Sequence, residues 1–415
     1  MSKAAIGVAL AATMALSFGV QAQTAKIAYI DPLSGGMANV GDLGVKHFQY
    51  FVDKINAAGG VAGGKKLEFV PYDNKLSPQE SLILLKKAID EGIQYIAQGN
   101  GSLVAHALTD QIQKHNERNP GKEVMFLNYA AVDPALTNEK CHFFHFRFDA
   151  DADMKMQALT NVMVAKPSVK KVYLINQDYS FGKAVAAAAR DMLTKKSKSI
   201  QLVGDELHPL ARVTDFSPYV AKIKAAGTDS VVTGNWGNDM SLLIKASRDA
   251  GLEVDWYTYY AGALGSPAAI GAAGKDRLKQ VTEWHRNADA PVMEATMVEY
   301  EKHYNADRNA AVYHEFSFAR VKNLMDMLVV AMNEAKSTDA KAVAMKLSGM
   351  KFKSAMGDIW IRADNHQLIQ PLFISTLTSG VKYDSERTGF GFKTDAKVEA
   401  KDTEVPTTCK MQRPS

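Results

Sequence analysis

Apolar residues along this chain alternate between short unbroken runs and stretches where they recur at intervals of three and four, the signatures of buried strands and amphipathic helices. KIAYI (26–30) is the first run, followed by a Gly-rich turn and a helix whose apolar face carries Leu43, Phe48, Phe51, Val52 and Ile55. NAAGGVAGGKK reads as a turn, its glycines supplying positive φ angles. LEFV (67–70), a helix from near Pro78, YIA (95–97), a helix after Ser102 and VMFLN (124–128) continue the series. A second series starts near residue 148: KVYLI (171–175), a helix from about Gly182, SIQLVGDEL (199–207), a helix near Phe216–Ala226, SVVTG (230–234), a helix near Met240–Ala250 and WYTYY (256–260). Strands alternating with helices predict parallel sheets covered by helices, and two series predict two similar α/β domains. The remainder has helical patterns at 291–305 and 314–335 and strand patterns in MGDIWI (356–361) and PLFIST (371–376). It is too short for a third domain of this kind and is expected to complete the first two, so that the chain crosses between them several times.

Composition adds little to that picture, and charge removes one class of partner. The chain has 415 residues, 47% hydrophobic and 23% charged, with a formal net charge of +4. Lys and Arg are interspersed with acids, so no nucleic-acid-binding stripe is present. Residues 1–22 stand apart: Lys3, an apolar stretch from Ala4 to Val20, and Val20-Gln21-Ala22 as a small-residue cleavage pattern predict a secretory signal. No later run is long enough to span a bilayer. An exported chain permits a disulfide between its two cysteines, Cys141 and Cys409, with two unpaired thiols as the alternative. Such a bond would tie the tail to the middle of the chain, worth at most about 5 kcal/mol in the chain-entropy model.

The candidate chemistry lies in IAQGNGSLVAHALTD (96–110), where a strand runs into Gly99, Asn100 and Gly101 before Ser102 opens a helix. Two roles fit: amides and the Ser102 hydroxyl holding an anion at the positive end of the helix dipole, or Ser102 capping its own helix. Other chemistry is missing. There is no phosphate-loop lysine and no Gly-x-Ser-x-Gly elbow. HEFSF (314–318) lacks the second histidine of a zinc helix, and its His and Glu are expected on a solvated helix face. Asp149, Asp151 and Asp153 resemble the start of a calcium loop, but Met154 and Thr160 occupy its glycine and glutamate positions, which leaves helix capping and dipole compensation. CHFFHFRF (141–148) reads as a strand alternating faces, without a full set of metal ligands. No cofactor and no metal site is expected.

KIAYIDPLSGGMANVGDLGVKHFQYFVDKINAAGGVAGGKKLEFVPYDNK, QGNGS, AAVDPAL, NQDYSFG and AGTDSVVTGNWGNDMSLLIKASRDAGL, in that order, resemble solute-binding proteins of the branched-chain amino acid type, which serve ABC importers. The resemblance implies a type I periplasmic-binding fold: two doubly wound parallel-sheet lobes with a three-crossover hinge, lobe 1 from 23–147 plus 284–371 and lobe 2 with the tail from 148–283 plus 372–415. It further implies a monomeric periplasmic protein that is not an enzyme, enclosing a small molecule for an inner-membrane ABC permease. In amino-acid-binding relatives the serine matching Ser102 holds the ligand carboxylate, helped by backbone at the position of Ala130; Gly101 and Asn100 belong to the same loop. Val132 and Ala261 stand where those relatives carry a Thr and a Glu for the ammonium, and a buried ammonium lacking its counter-charge is costly. Phe181 and Trp236 replace wall tyrosines, Val40 replaces another, and Tyr129 and Tyr260 lie beside the clamp loops. The implied ligand is an apolar, aromatic carboxylate, such as a benzoate or phenylpropenoate derivative. A branched-chain amino acid, amide or urea, or a sensory role for the same fold, are the alternatives; a secreted hydrolase lacks a nucleophile-base constellation.

Overall fold

The computed structural model describes residues 24–304 and 315–414; the proposed signal (1–22) and His314 lie outside them. The first series forms a sheet of five parallel strands, β1 (Ala25–Asp31), β2 (Leu67–Asp73), β3 (Tyr95–Gln98), β4 (Met125–Asn128) and β5 (His145–Arg147), in the order β2-β1-β3-β4-β5. The second series supplies β6 (Lys171–Gln177), β7 (Gln201–His208), β8 (Ser230–Thr233), β9 (Asp255–Thr258) and β10 (Leu278–Thr282). A small antiparallel sheet, β11 (Lys351–Ser354), β12 (Gly357–Ile361) and β13 (Leu368–Ile369), precedes β14 (Leu372–Ser379) and β15 (Phe390–Val398). The last two extend the second sheet antiparallel, in the order β15-β14-β10-β9-β8-β6-β7. Every residue of β3, β4 and β8 is buried, as helices on both faces require, which is why these strands read as unbroken apolar runs.

The helices Pro291–His303, Phe318–Ala335 and Ala340–Leu347 return to the first sheet, where Phe318, Leu324 and Leu328 share a core with Phe48, Phe51 and Tyr95. Leu372 and Ile374 then rejoin the core around Leu174 and Val232. The chain therefore passes between two doubly wound lobes three times: after Arg147, after Thr282 and before Leu372. Cys141 and Cys409 are bonded, 268 residues apart.

Two expectations need correction. CHFFHFRF is strand only at His145–Arg147, and it does not alternate: residues 142–148 are all buried, since His366 stacks on Phe146 at 4.1 Å and the Arg413 guanidinium covers Phe143 at 5.7 Å. The helix expected over 314–335 begins at Phe318, because Ser317 takes a left-handed φ of 65°. Glu315 consequently lies off any helix face and accepts hydrogen bonds from the Ser385 hydroxyl and the Arg286 amide.

Burial also sets a pH response. It pushes His142 and His285 down to about 4 and His366 to about 3. Histidines titrating below their unfolded value of about 6.5 contribute stability that is present above that value and lost as pH falls toward the folded one. Burial raises Asp31 and Asp153 to about 6, and these two act in the opposite sense, gaining stability as pH falls through that value. Three such histidines outweigh two such carboxylates. The urea midpoint is expected to be lower at about pH 5 than at about pH 7; a higher midpoint at the acidic value contradicts this balance.

Candidate functional site

In each sheet the strand order reverses once, between β1 and β3 in the first and between β6 and β8 in the second, and ligands collect beyond the carboxyl ends of strands at such points. The loops leaving β3, β4, β6, β8 and β9 converge there on a small cavity.

The β3 loop explains its own glycines. Gly101 has a φ of 92° and occupies the cap position of the helix Ser102–Arg118. At Gly99 a Cβ would come within 2.8 Å of the Ala130 amide nitrogen, so bare backbone is what lets this loop press against the next one. Ser102 is therefore the first residue of the helix and not its cap, which corrects the capping role expected of it. Its Oγ instead accepts the Asp133 amide at 3.3 Å, fixing the β3 loop to the β4 loop. The amides of Ser102 and Leu103 precede the first intrahelical bond, made by Val104 to Gly101, and point out of the helix start.

Asp31 lies beneath this loop. Its carboxylate accepts the Asn100 amide at 2.9 Å, Asn100 Nδ2 at 3.1 Å and the Tyr129 hydroxyl at 2.6 Å. Burial raises its pKa to about 6 against those hydrogen bonds. The Tyr129 hydroxyl is thus engaged behind the loop.

Across the cavity, Phe181 is the second residue of the helix Ser180–Lys196 after β6, and Trp236 precedes the helix Gly237–Asp249 after β8. Trp236 Nε1 donates to the Tyr179 hydroxyl at 2.8 Å, which sets the plane of the indole. The Phe181 ring lies 6.1 Å from that of Tyr260 and 5.9 Å from that of Tyr179. Phe316 and Arg320, from the segment that returns to the first lobe, complete the lining, with the guanidinium 4.9 Å above the Phe316 ring.

Of the residues expected at a site, Asn100, Gly101, Ser102, Ala130, Val132, Phe181, Trp236 and Tyr260 line this cavity. Val40, Tyr129 and Ala261 do not. Val40 is buried in the core shared with Met37 and Met154, and the Ala261 amide is bound to Thr258 Oγ1 at 3.0 Å. Tyr179, Phe316 and Arg320 were not anticipated. Arg320 carries a readable signal: it stands four, seven and eleven residues before Leu324, Met327 and Ala331, all buried, and so is a charge on an apolar helix face.

Among the described residues Arg320 is the one charged side chain in the lining. Its Nε donates to Glu283 at 2.6 Å and its Nη1 lies 2.9 Å from Asp149, which Lys155 also contacts at 2.8 Å. Burial raises Asp149 and lowers Lys155. Burial would raise Glu283 too, but Arg320 and Lys155 hold it below the usual range. Of the three aspartates thought to cap a helix, Asp151 does so through the Met154 amide at 2.9 Å, whereas Asp149 belongs to this ion cluster.

The two lobes touch beside Trp236, at the start of the helix Gly237–Asp249. Met37 of the first lobe sits against Gly237 of the second, where a Cβ would fall 2.3 Å from the Met37 sulfur. The lobes are thus in contact at this seat.

Comparisons with known proteins place this geometry in context. A family described as periplasmic binding protein matches residues 24–382. A Leu/Ile/Val-binding protein homolog from Brucella melitensis is 34% identical, covering 98% of both chains. Among solved structures, the closed conformation of a leucine-, isoleucine-, valine-, threonine- and alanine-binding protein from Brucella ovis has a TM-score of 0.84 and 31% identity, over 95% of this chain and 100% of that one. A solute-binding protein of an ABC transporter from Rhodopseudomonas palustris, in complex with p-hydroxybenzoic acid, shares the fold with a TM-score of 0.78 at 19% identity, over 91% and 98%.

Proposed function

This chain belongs to the periplasmic binding protein family, as a solute-binding protein of an ABC transporter, and from that premise we propose that its ligand is a small aromatic monocarboxylate. Members of the family are transport components and not enzymes. Among the described residues no helix is long and apolar enough to cross a membrane. Export by the signal at residues 1–22, action as a monomer and delivery to an inner-membrane permease belong to the same proposal.

The carrying observation is the charge of the cavity lining. Among the described residues it holds five aromatic rings, no carboxylate and one cation, Arg320, whose charge is already paired with Glu283 and Asp149, while Val132 presents only methyl groups. A ligand carboxylate would be taken by the Ser102 hydroxyl and the amides that open its helix, and a ring would lie among Phe181, Trp236 and Tyr179. An ammonium would find no negative partner among the described residues of the lining, and leaving it unpaired costs several times the thermal energy. A second reading, a branched-chain amino acid, is favoured by the names of the Brucella relatives. Calorimetric titration with benzoate, para-hydroxybenzoate, cinnamate, leucine and valine separates the two. The aromatic acids are expected to bind and the amino acids not; binding of leucine without any aromatic acid overturns the proposal.

Capture works by closure: a ligand that touches both lobes biases the open-to-closed equilibrium by its differential affinity for the closed form. The Met37–Gly237 contact exists only when the lobes meet. Gly237→Ala is accordingly expected to weaken binding about tenfold, since its left-handed strain is common to open and closed forms whereas the clash with Met37 belongs to the closed one. Affinity within about twofold of the parent chain in the same titration would show that the seat yields at no cost.

A further inference from the structure

Arg320 enters the cavity with its charge already matched. It pairs with Glu283 and Asp149, and Asp149 is shared with Lys155, so the buried set holds two charges of each sign. Nε donates to Glu283, and Nη1 stands within ion-pair distance of Asp149 without making a hydrogen bond. Nη2 has no hydrogen-bond acceptor among the described residues, and it belongs to a side chain that is 1% exposed and lines the cavity. Phe316 lies under the guanidinium plane at 4.9 Å and holds its orientation.

A carboxylate docked on Nη2 would bring a third negative charge into a balanced, desolvated cluster, and an unmatched buried charge is strongly unfavourable. A neutral oxygen accepts the same N–H without changing the count, and a hydrogen bond from a charged donor is stronger than one between neutral groups. We propose that Arg320 is a specificity-determining residue that donates from Nη2 to an uncharged oxygen on the ligand ring. The favoured ligands are then aromatic monocarboxylates bearing a hydroxyl, ether or carbonyl oxygen, and aromatic dicarboxylates are rejected. This rests on the reading above, in which Ser102 and its helix take the carboxylate.

The test is titration of the full chain, stripped of co-purified ligand by unfolding and refolding, with benzoate, its meta and para hydroxy and methoxy derivatives, and terephthalate. The best oxygenated acid is expected to bind about tenfold tighter than benzoate and terephthalate about tenfold weaker. In Arg320→Lys, checked by thermal melting, the preference for the oxygenated acid over benzoate should shrink to within about twofold, because a lysine ammonium lacks the planar fork. If that variant does not fold, the panel on the parent chain decides. Equal binding of benzoate and every derivative, or terephthalate binding tightest, overturns the assignment of Arg320 while leaving aromatic-acid binding intact. Leucine binding with no aromatic acid overturns the parent reading, and this one with it.

Discussion

Replacing Arg147 with alanine is expected to lower the free energy of unfolding by about 3–5 kcal/mol, the usual cost of removing one partner from a buried ion pair. Arg147 has no exposed surface. Its guanidinium donates to Gln367 Oε1, to the Asp133 carbonyl at 2.6 Å, to Thr137 Oγ1 and to Asp151 at 3.0 Å. Alanine would leave a carboxylate, a carbonyl, a hydroxyl and an amide without their donor in a region water does not reach. Asp151 begins the first passage between the lobes and Gln367 the third, so the same change loosens the hinge. Urea unfolding measures the loss; a change below about 1 kcal/mol would mean that neighbouring groups re-pair, contrary to the packing described. Arg147→Lys keeps the charge without the fork and is expected to fall between the two.

Trp236→Ala is expected to weaken binding of the cognate acid by about 100-fold, corresponding to about 3 kcal/mol, a loss typical of a central tryptophan in a desolvated contact. The indole is 6% exposed and is oriented by its bond to Tyr179, so little entropy remains to be lost when a ring stacks on it. Trp236→Phe retains an aromatic face and is expected to cost less than about tenfold. Because the truncation also opens space in the second lobe, thermal melting of the unliganded variant separates loss of fold from loss of binding. Affinity within about threefold of the parent chain, with the fold intact, would place the ligand elsewhere.

Strand and helix identities were legible because parallel strands buried on both faces leave unbroken apolar runs, as in β3, β4 and β8, and helices between them keep a three-and-four spacing. The resemblance to solute-binding proteins was legible in the loops at the strand ends, and the family match agrees with it. What could not be read were contacts made across the fold. Tyr129 bonds Asp31, 98 residues away, and so turns its hydroxyl from the cavity. Arg320 reaches the lining only because the chain returns to the first lobe after Thr282. Ser102 stands where a cap would stand, but the dihedral that gives the cap position to Gly101 is a property of the assembled loop. The late start of the strand in CHFFHFRF likewise goes with a contact across the fold, since Cys141 is bonded to a cysteine 268 residues downstream.

That tail has a mechanical consequence. It leaves the second lobe through the short helix Ala400–Thr403, where Thr403 is buried against the Gln370 carbonyl, and is sewn at Cys409 to the first lobe. The stretch between Thr403 and Cys409 spans at most about 20 Å when drawn taut. It is a covalent leash beside the three passages, setting a ceiling on how wide the jaws can gape, and a reducing environment would slip it.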